Sequence, residues 1–247
     1  MSSIASLVYP YGILTSDASL HEGFEIKTLP ATMKAHYLIW ERFFDSKPNK
    51  FVSSWKSGRC GQHVHVSADS ISPMTLGKIN MFINNPLNWD FVSLIAGRSI
   101  RDNSFCYPVS TSQHITSAFV SQSVIRKYEK TYQKSYRGKG GRVPVEHHNA
   151  FVSREMGGKP TYEFRIFRGN LSKPGFLKNL EFVDALITWL EDVSAREVSL
   201  ANFKEWLQVP VHAAHYRYLM AYLEDKKVFS KVRGLTVYHD EEKELRT

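Results

Sequence analysis

Two stretches with a period of two, far apart in the chain, limit its fold more than any other feature. Gly61-Gln62-His63-Val64-His65-Val66-Ser67 alternates polar and apolar residues. An extended strand here puts His63, His65 and Ser67 on one face and sends Val64 and Val66 toward a core. Tyr162-Glu163-Phe164-Arg165-Ile166-Phe167-Arg168 alternates in the same way. Its parity sets Glu163, Arg165 and Phe167 on one face and Tyr162 or Phe164 on the other. Imidazole holds divalent ions and moves protons near neutral pH, and a strand fixes its direction better than a loop does. Set side by side, the two strands would make the floor of a metal and phosphate site. Apart, His63 and His65 would be half-buried histidines on an ordinary strand.

The remaining elements read as follows. Residues before Tyr9-Pro10-Tyr11-Gly12 are mixed, and that tetrapeptide suggests a turn between short extended pieces. Phe24 and Ile26 alternate with Glu25 and Lys27 in a strand that ends at Pro30. Asp17 and Glu25 are then either solvated charges or acids facing one cleft. Thr32 caps a helix to about Asp45 with Ala35, Leu38, Ile39 and Phe43 as its core stripe. Ser72-Pro73 opens a helix to about Ile83, Asn84-Asn85-Pro86 breaks it, and a second helix, Leu87 to Ala96, delivers Gly97-Arg98. A long helix from Pro174 to about Val193 carries an apolar stripe, which leaves Glu181 and Asp184 as surface or edge charges. Ser199 caps a helix to Leu207, another runs from Val211 to Glu224, and the tail is highly charged. Strands near Ala150 to Arg154 and Thr161 to Phe167 flank Gly157-Gly158 as a hairpin. These elements make an α+β domain over residues 1–195 and a helical C-terminal extension over 196–247.

Composition narrows the partners. With 32 Lys and Arg against 24 Asp and Glu, the chain carries a net charge of +8, which favours nucleotides, nucleic acid or phosphorylated substrates. The most basic run, residues 126–142, interleaves lysine and arginine with Tyr128, Tyr132 and Tyr136 and ends in glycines around Lys139. It suits nucleic acid, a lid over ATP phosphates, or a solvated helix face. Cys60 and Cys106 have no metal-binding or redox spacing and read as free thiols. No apolar run approaches the roughly 18 residues that span a bilayer, and no leader pattern opens the sequence, so a soluble cytoplasmic protein without a membrane partner is expected.

Taken in order, several of these stretches resemble the amidoligase family. These are ATP-dependent carboxylate-amine ligases related to glutamine synthetase and glutamate-cysteine ligase, often met in phage genomes. The resemblance runs through Asp17-Ala18-Ser19-Leu20, Gly23-Phe24-Glu25-Ile26, Cys60 to Ser67, Ile95-Ala96-Gly97-Arg98, Tyr162 to Leu171, and Leu180 to Ala185. It implies a curved, mostly antiparallel sheet forming a cup for Mg²⁺ and ATP, with flanking helices. It also implies that Asp17, Glu25, His63, His65 and Glu163 ligate metal, that Arg165 and His65 act on the transferring phosphate, and that Arg98 touches substrate or nucleotide. Arg165, Arg168 and Lys139 would bind the nucleotide. A carboxylate would become an acyl phosphate, and an amine would displace the phosphate to leave an amide.

The chain departs from that family in one respect. A strand bearing a Glu-x-Glu pair usually supplies principal metal ligands, and the only such spacing here is Glu242-Lys243-Glu244 in the charged tail. A partner chain supplying the acids, or a scaffold that binds without ligating, would account for this. A third reading takes His63-Val64-His65 as the histidine-hydrophobe-histidine strand of a single-stranded DNA nickase, with Tyr128, Tyr132 or Tyr136 as nucleophile.

Overall fold

The computed structural model describes residues 2–16, 23–50, 52–54, 60–101, 151–156 and 159–229. Among the described residues the fold is mixed α and β, mostly helical, with two small antiparallel sheets. The chain divides into two compact units that do not follow chain order. One comprises residues 1–61, 168–181 and 217–247, and the other residues 62–167 and 182–216.

The first unit opens with α1 (Ser2–Val8). An extended piece is expected there, but Ile4 and Val8, one helical turn apart, are both buried, and that pairing favours a helix. Strands β1 (Gly12–Ser16) and β2 (Phe24–Thr28) form an antiparallel pair with Gly12 opposite Thr28 and Ser16 opposite Phe24. A Cβ on Gly12 would lie 2.5 Å from the Lys27 carbonyl oxygen, so only glycine admits this approach. Helix α2 (Met33–Asp45) starts where the Thr32 hydroxyl accepts the Ala35 N–H at 3.3 Å. Its core face is Trp40, Phe43 and Phe44, and Phe176 lies 4.3 Å from the Trp40 ring centroid. Of the expected stripe only Phe43 is buried, and Leu38 is 66% exposed. The helix is apolar on two faces, and its aromatic face takes the core because it buries more area.

The second unit holds a three-stranded sheet in the order β3-β5-β4, where β3 is Gly61–Ser67, β4 is Phe151–Met156 and β5 is Lys159–Arg168. β4 and β5 pair antiparallel from Phe151 opposite Phe164 to Met156 opposite Lys159. Helix α3 (Pro73–Asn84) has proline in its first turn, and the Ser72 hydroxyl caps the Thr75 N–H at 3.1 Å. Helix α4 (Trp89–Ala96) stops at Gly97, whose φ of 68° is the left-handed conformation of a glycine cap.

Helix α5 (Lys173–Asp192) contributes its first half to the first unit and its second half to the other. Helix α6 (Leu200–Gln208) sends fully buried Phe203 into a cluster with Phe82, Phe91, Phe182 and Trp189. The single helix expected from Val211 to Glu224 is two, α7 (Pro210–His215) and α8 (Arg217–Asp225), interrupted at Tyr216. Among the described residues no helix is long and apolar enough to cross a membrane.

Candidate functional site

β3 and β5 are neighbours, and the faces singled out by their alternation coincide. One oxygen of Glu163 gathers the site. Oε1 accepts from His63 Nδ1 at 2.9 Å and from Arg165 Nη1 at 2.8 Å, while His65 Nε2 stands 3.6 Å away. His65 Nδ1 lies 3.1 Å from the Thr161 hydroxyl on the same face of β5. His63 facing Glu163 and His65 facing Thr161 step in opposite directions, so β3 and β5 run antiparallel.

The Glu163 side chain is 3% exposed, against 29% for His63, 25% for His65 and 16% for Arg165. Burial by itself would push its carboxyl up. The hydrogen bond from His63 and the charges of His63, Arg165 and His65 reverse that and hold it well below the usual carboxylate range. An ionised carboxylate only accepts, so His63 donates from Nδ1 and its Nε2 is left for another partner. The Arg165 Nε–H is buried and finds no partner among the described residues. The arrangement is a buried anion surrounded by donors that remain partly open to solvent. Such a set can meet an incoming anion without first being ordered.

Arg98 has a different place. Gly97 turns the chain out of α4, and Arg98 then donates from Nε to the Ile166 carbonyl at 2.8 Å and from Nη2 to the Arg165 carbonyl at 2.6 Å. The resemblance implies contact with substrate or nucleotide, and these bonds tie Arg98 to β5 beside the site. Glu25 lies on β2 of the first unit and pairs with Lys27 at 3.1 Å, both side chains nearly half exposed. Arg168 is the exposed last residue of β5. Asp17, Lys139, the tyrosines of 126–142, Cys106 and the Glu242-Lys243-Glu244 spacing lie outside the described residues, and Cys60 is a free thiol. Thr161 escaped sequence reading, although its parity with Glu163 and Arg165 places it on their face.

Comparison with known proteins finds no match among family models, curated proteins or solved structures.

The described residues of this site do not fit Mg²⁺. That ion takes oxygen ligands in a near-ideal octahedron, whereas this set offers two imidazoles and one carboxylate whose Oε1 is already engaged by Arg165 and His63. Among the described residues no group of three His, Cys, Asp or Glu is arranged to hold a metal.

Proposed function

We propose that the chain is an ATP-dependent carboxylate-amine ligase whose phosphate-handling site is built from His63, His65, Glu163 and Arg165. The observation that supports this reading is the meeting of the two strands through one carboxylate oxygen, with His63, Arg165 and His65 within 3.6 Å of it. In the reaction a substrate carboxylate oxygen attacks the γ-phosphorus of ATP and ADP leaves, giving an acyl phosphate. An amine then attacks the acyl carbon, phosphate departs, and the nitrogen gives up a proton to leave the amide. The chain's part is fixed positive charge around the transferring phosphoryl group. Arg165 is suited to grip its oxygens through a planar fork. His63 and His65 donate to the same oxygens, and Glu163 keeps all three donors aimed.

The test is release of ADP from ATP by the purified chain in the presence of Mg²⁺ and pooled carboxylates and amines. ADP release that needs both an acid and an amine, and that falls about 100-fold or more in Glu163→Gln, is expected for a site that acts through electrostatic preorganisation. A Glu163→Gln protein of unchanged rate would overturn the assignment.

A second reading is favoured by one detail. The acid that ligation would place on metal is instead paired in place with Arg165 and His63, as in an anion-binding module that keeps the scaffold without the chemistry. ATP binding lost in Arg165→Gln, with no ADP formed under any amine and acid mixture, would select that reading.

A further inference from the structure

We propose that Thr161 is a positioning residue whose hydroxyl donates to His65 Nδ1 and so presents His65 as a neutral imidazole with its proton on Nε2, the nitrogen beside Glu163. The proposal rests on the phosphate-handling reading of the site and adds to it the form in which His65 serves. Thr161 and Glu163 are two residues apart on β5, so their side chains leave the same face, and His65 on β3 reaches both. Its Nδ1 lies 3.1 Å from the Thr161 hydroxyl oxygen, and its Nε2 lies 3.6 Å from Glu163 Oε1. A neutral imidazole has one N–H and one lone pair, so one nitrogen donates and the other accepts. The two neighbours on β5 decide which.

The carboxylate excludes one choice. Glu163 is 3% exposed and ionised, and it offers only lone pairs. A lone pair on Nε2 would face that charge at 3.6 Å in a buried setting, whereas an N–H there turns its positive end toward it. The proton therefore sits on Nε2, and Nδ1 takes a donor. The Thr161 hydroxyl can be that donor, because its hydrogen rotates to suit the acceptor. At 3.6 Å the Nε2–H is drawn to Glu163 without being locked to it, since Oε1 already takes His63 Nδ1 at 2.9 Å and Arg165 Nη1 at 2.8 Å. That N–H can serve a phosphoryl oxygen without the ring first gaining a proton. His63 carries its proton on Nδ1, toward Glu163, so the two imidazoles of β3 meet β5 through opposite nitrogens, and the hydroxyl at Thr161 is what sets them apart.

The experiment is long-range ¹H–¹⁵N correlation NMR on the full chain labelled at histidine, at a pH about two units above the ordinary imidazole pKa of about 6.5. His63→Gln and His65→Gln identify the two rings by the signals that disappear. The proposal predicts a protonated Nε2 and a bare Nδ1 for His65, and a protonated Nδ1 for His63. Thr161→Val keeps the β-branched shape that suits a strand and should move the bare Nδ1 signal of His65 downfield, as a lone pair does on losing its donor. Thr161→Ser should keep the parent signal. ATP with Mg²⁺ should bind Thr161→Val about tenfold more weakly than the parent, the worth of one hydrogen bond to a charged group from a ring no longer held in place. Thr161→Ser should bind as the parent does. A proton on His65 Nδ1 in the parent, or an Nδ1 signal indifferent to Thr161→Val, would overturn the proposal. So would equal ATP affinity of the parent and Thr161→Val. A parent that shows the expected tautomers and binds no ATP would instead overturn the phosphate-handling reading and leave the hold of Thr161 on His65 standing.

Discussion

Two buried carboxylates in this protein show how neighbours decide the state of an acid. Glu163 meets Arg165 and two imidazoles and is held well below the usual carboxylate range, whereas Glu181, fully buried in the first unit, is pushed up to about 7 by burial. The Tyr37 hydroxyl at 2.5 Å and the Leu219 N–H at 2.7 Å, with Arg217 nearby, only partly offset that burial. A carboxyl raised from 4.5 to about 7 gives stability that is fully present below pH 4.5 and lost as pH rises through 7. The loss is about 3 kcal/mol, one pKa unit being worth about 1.4 kcal/mol. Thermal melting from pH 4.5 to 7 should therefore fall in the parent and flatten in Glu181→Gln, which keeps the shape and the acceptor for Leu219. Lys178, also buried and over the Tyr222 ring at 4.3 Å, is pulled down to about 7 by burial, with Lys226 adding to the effect. Stability should climb again between pH 7 and 10.5, and Lys178→Met should remove that climb. Sequence reading places Glu181 at the surface because the long apolar stripe of its helix leaves it outside. The stripe is wider than one face, and α2 and α8 cover the side where Glu181 lies.

At the scale of elements, caps and periodicity carry most of the information. Thr32, Ser72-Pro73, Gly97 and Ser199 each mark a helix boundary that the structure keeps, and Gly61 to Ser67 is a strand over its whole length. The failures share a cause, which is that local pattern does not say what lies opposite. α1 is too short for a convincing period, and the break at Tyr216 interrupts a pattern that reads as continuous. On α2 two apolar faces compete, and the pattern alone names the wrong one as core. Helix α6 earns its place through Phe203, which contacts Phe82 at 5.4 Å and Trp189 at 5.1 Å between ring centroids. Phe203→Ala should destabilise the chain by about 3–5 kcal/mol in denaturant titration, the cost of a large aromatic cavity. Arg98→Ala should lower stability by about 1–3 kcal/mol in denaturant titration, since it strips a charged donor from two β5 carbonyls.

For the molecule as a whole, the legible part of the site is the part written in strand parity. His63, His65, Glu163 and Arg165 alternate on their own strands, and pairing β3 with β5 brings all four together. What parity cannot carry is contact between residues of unlike elements, which is why Arg98 reads as a substrate ligand and is found bonded to backbone carbonyls. Composition is a weaker guide, for a net charge of +8 is compatible with a nucleotide, a nucleic acid or a phosphorylated substrate. The central claim is that imidazoles and a guanidinium, drawn together by one carboxylate, hold phosphate. Titration calorimetry with ATP and Mg²⁺ on the parent chain and on Arg165→Gln, below the melting temperature of both, tests it most directly. The account predicts saturable binding by the parent and at least tenfold weaker binding by the variant, about 1.4 kcal/mol. Equal affinity of the two proteins, or no binding by the parent, would contradict it.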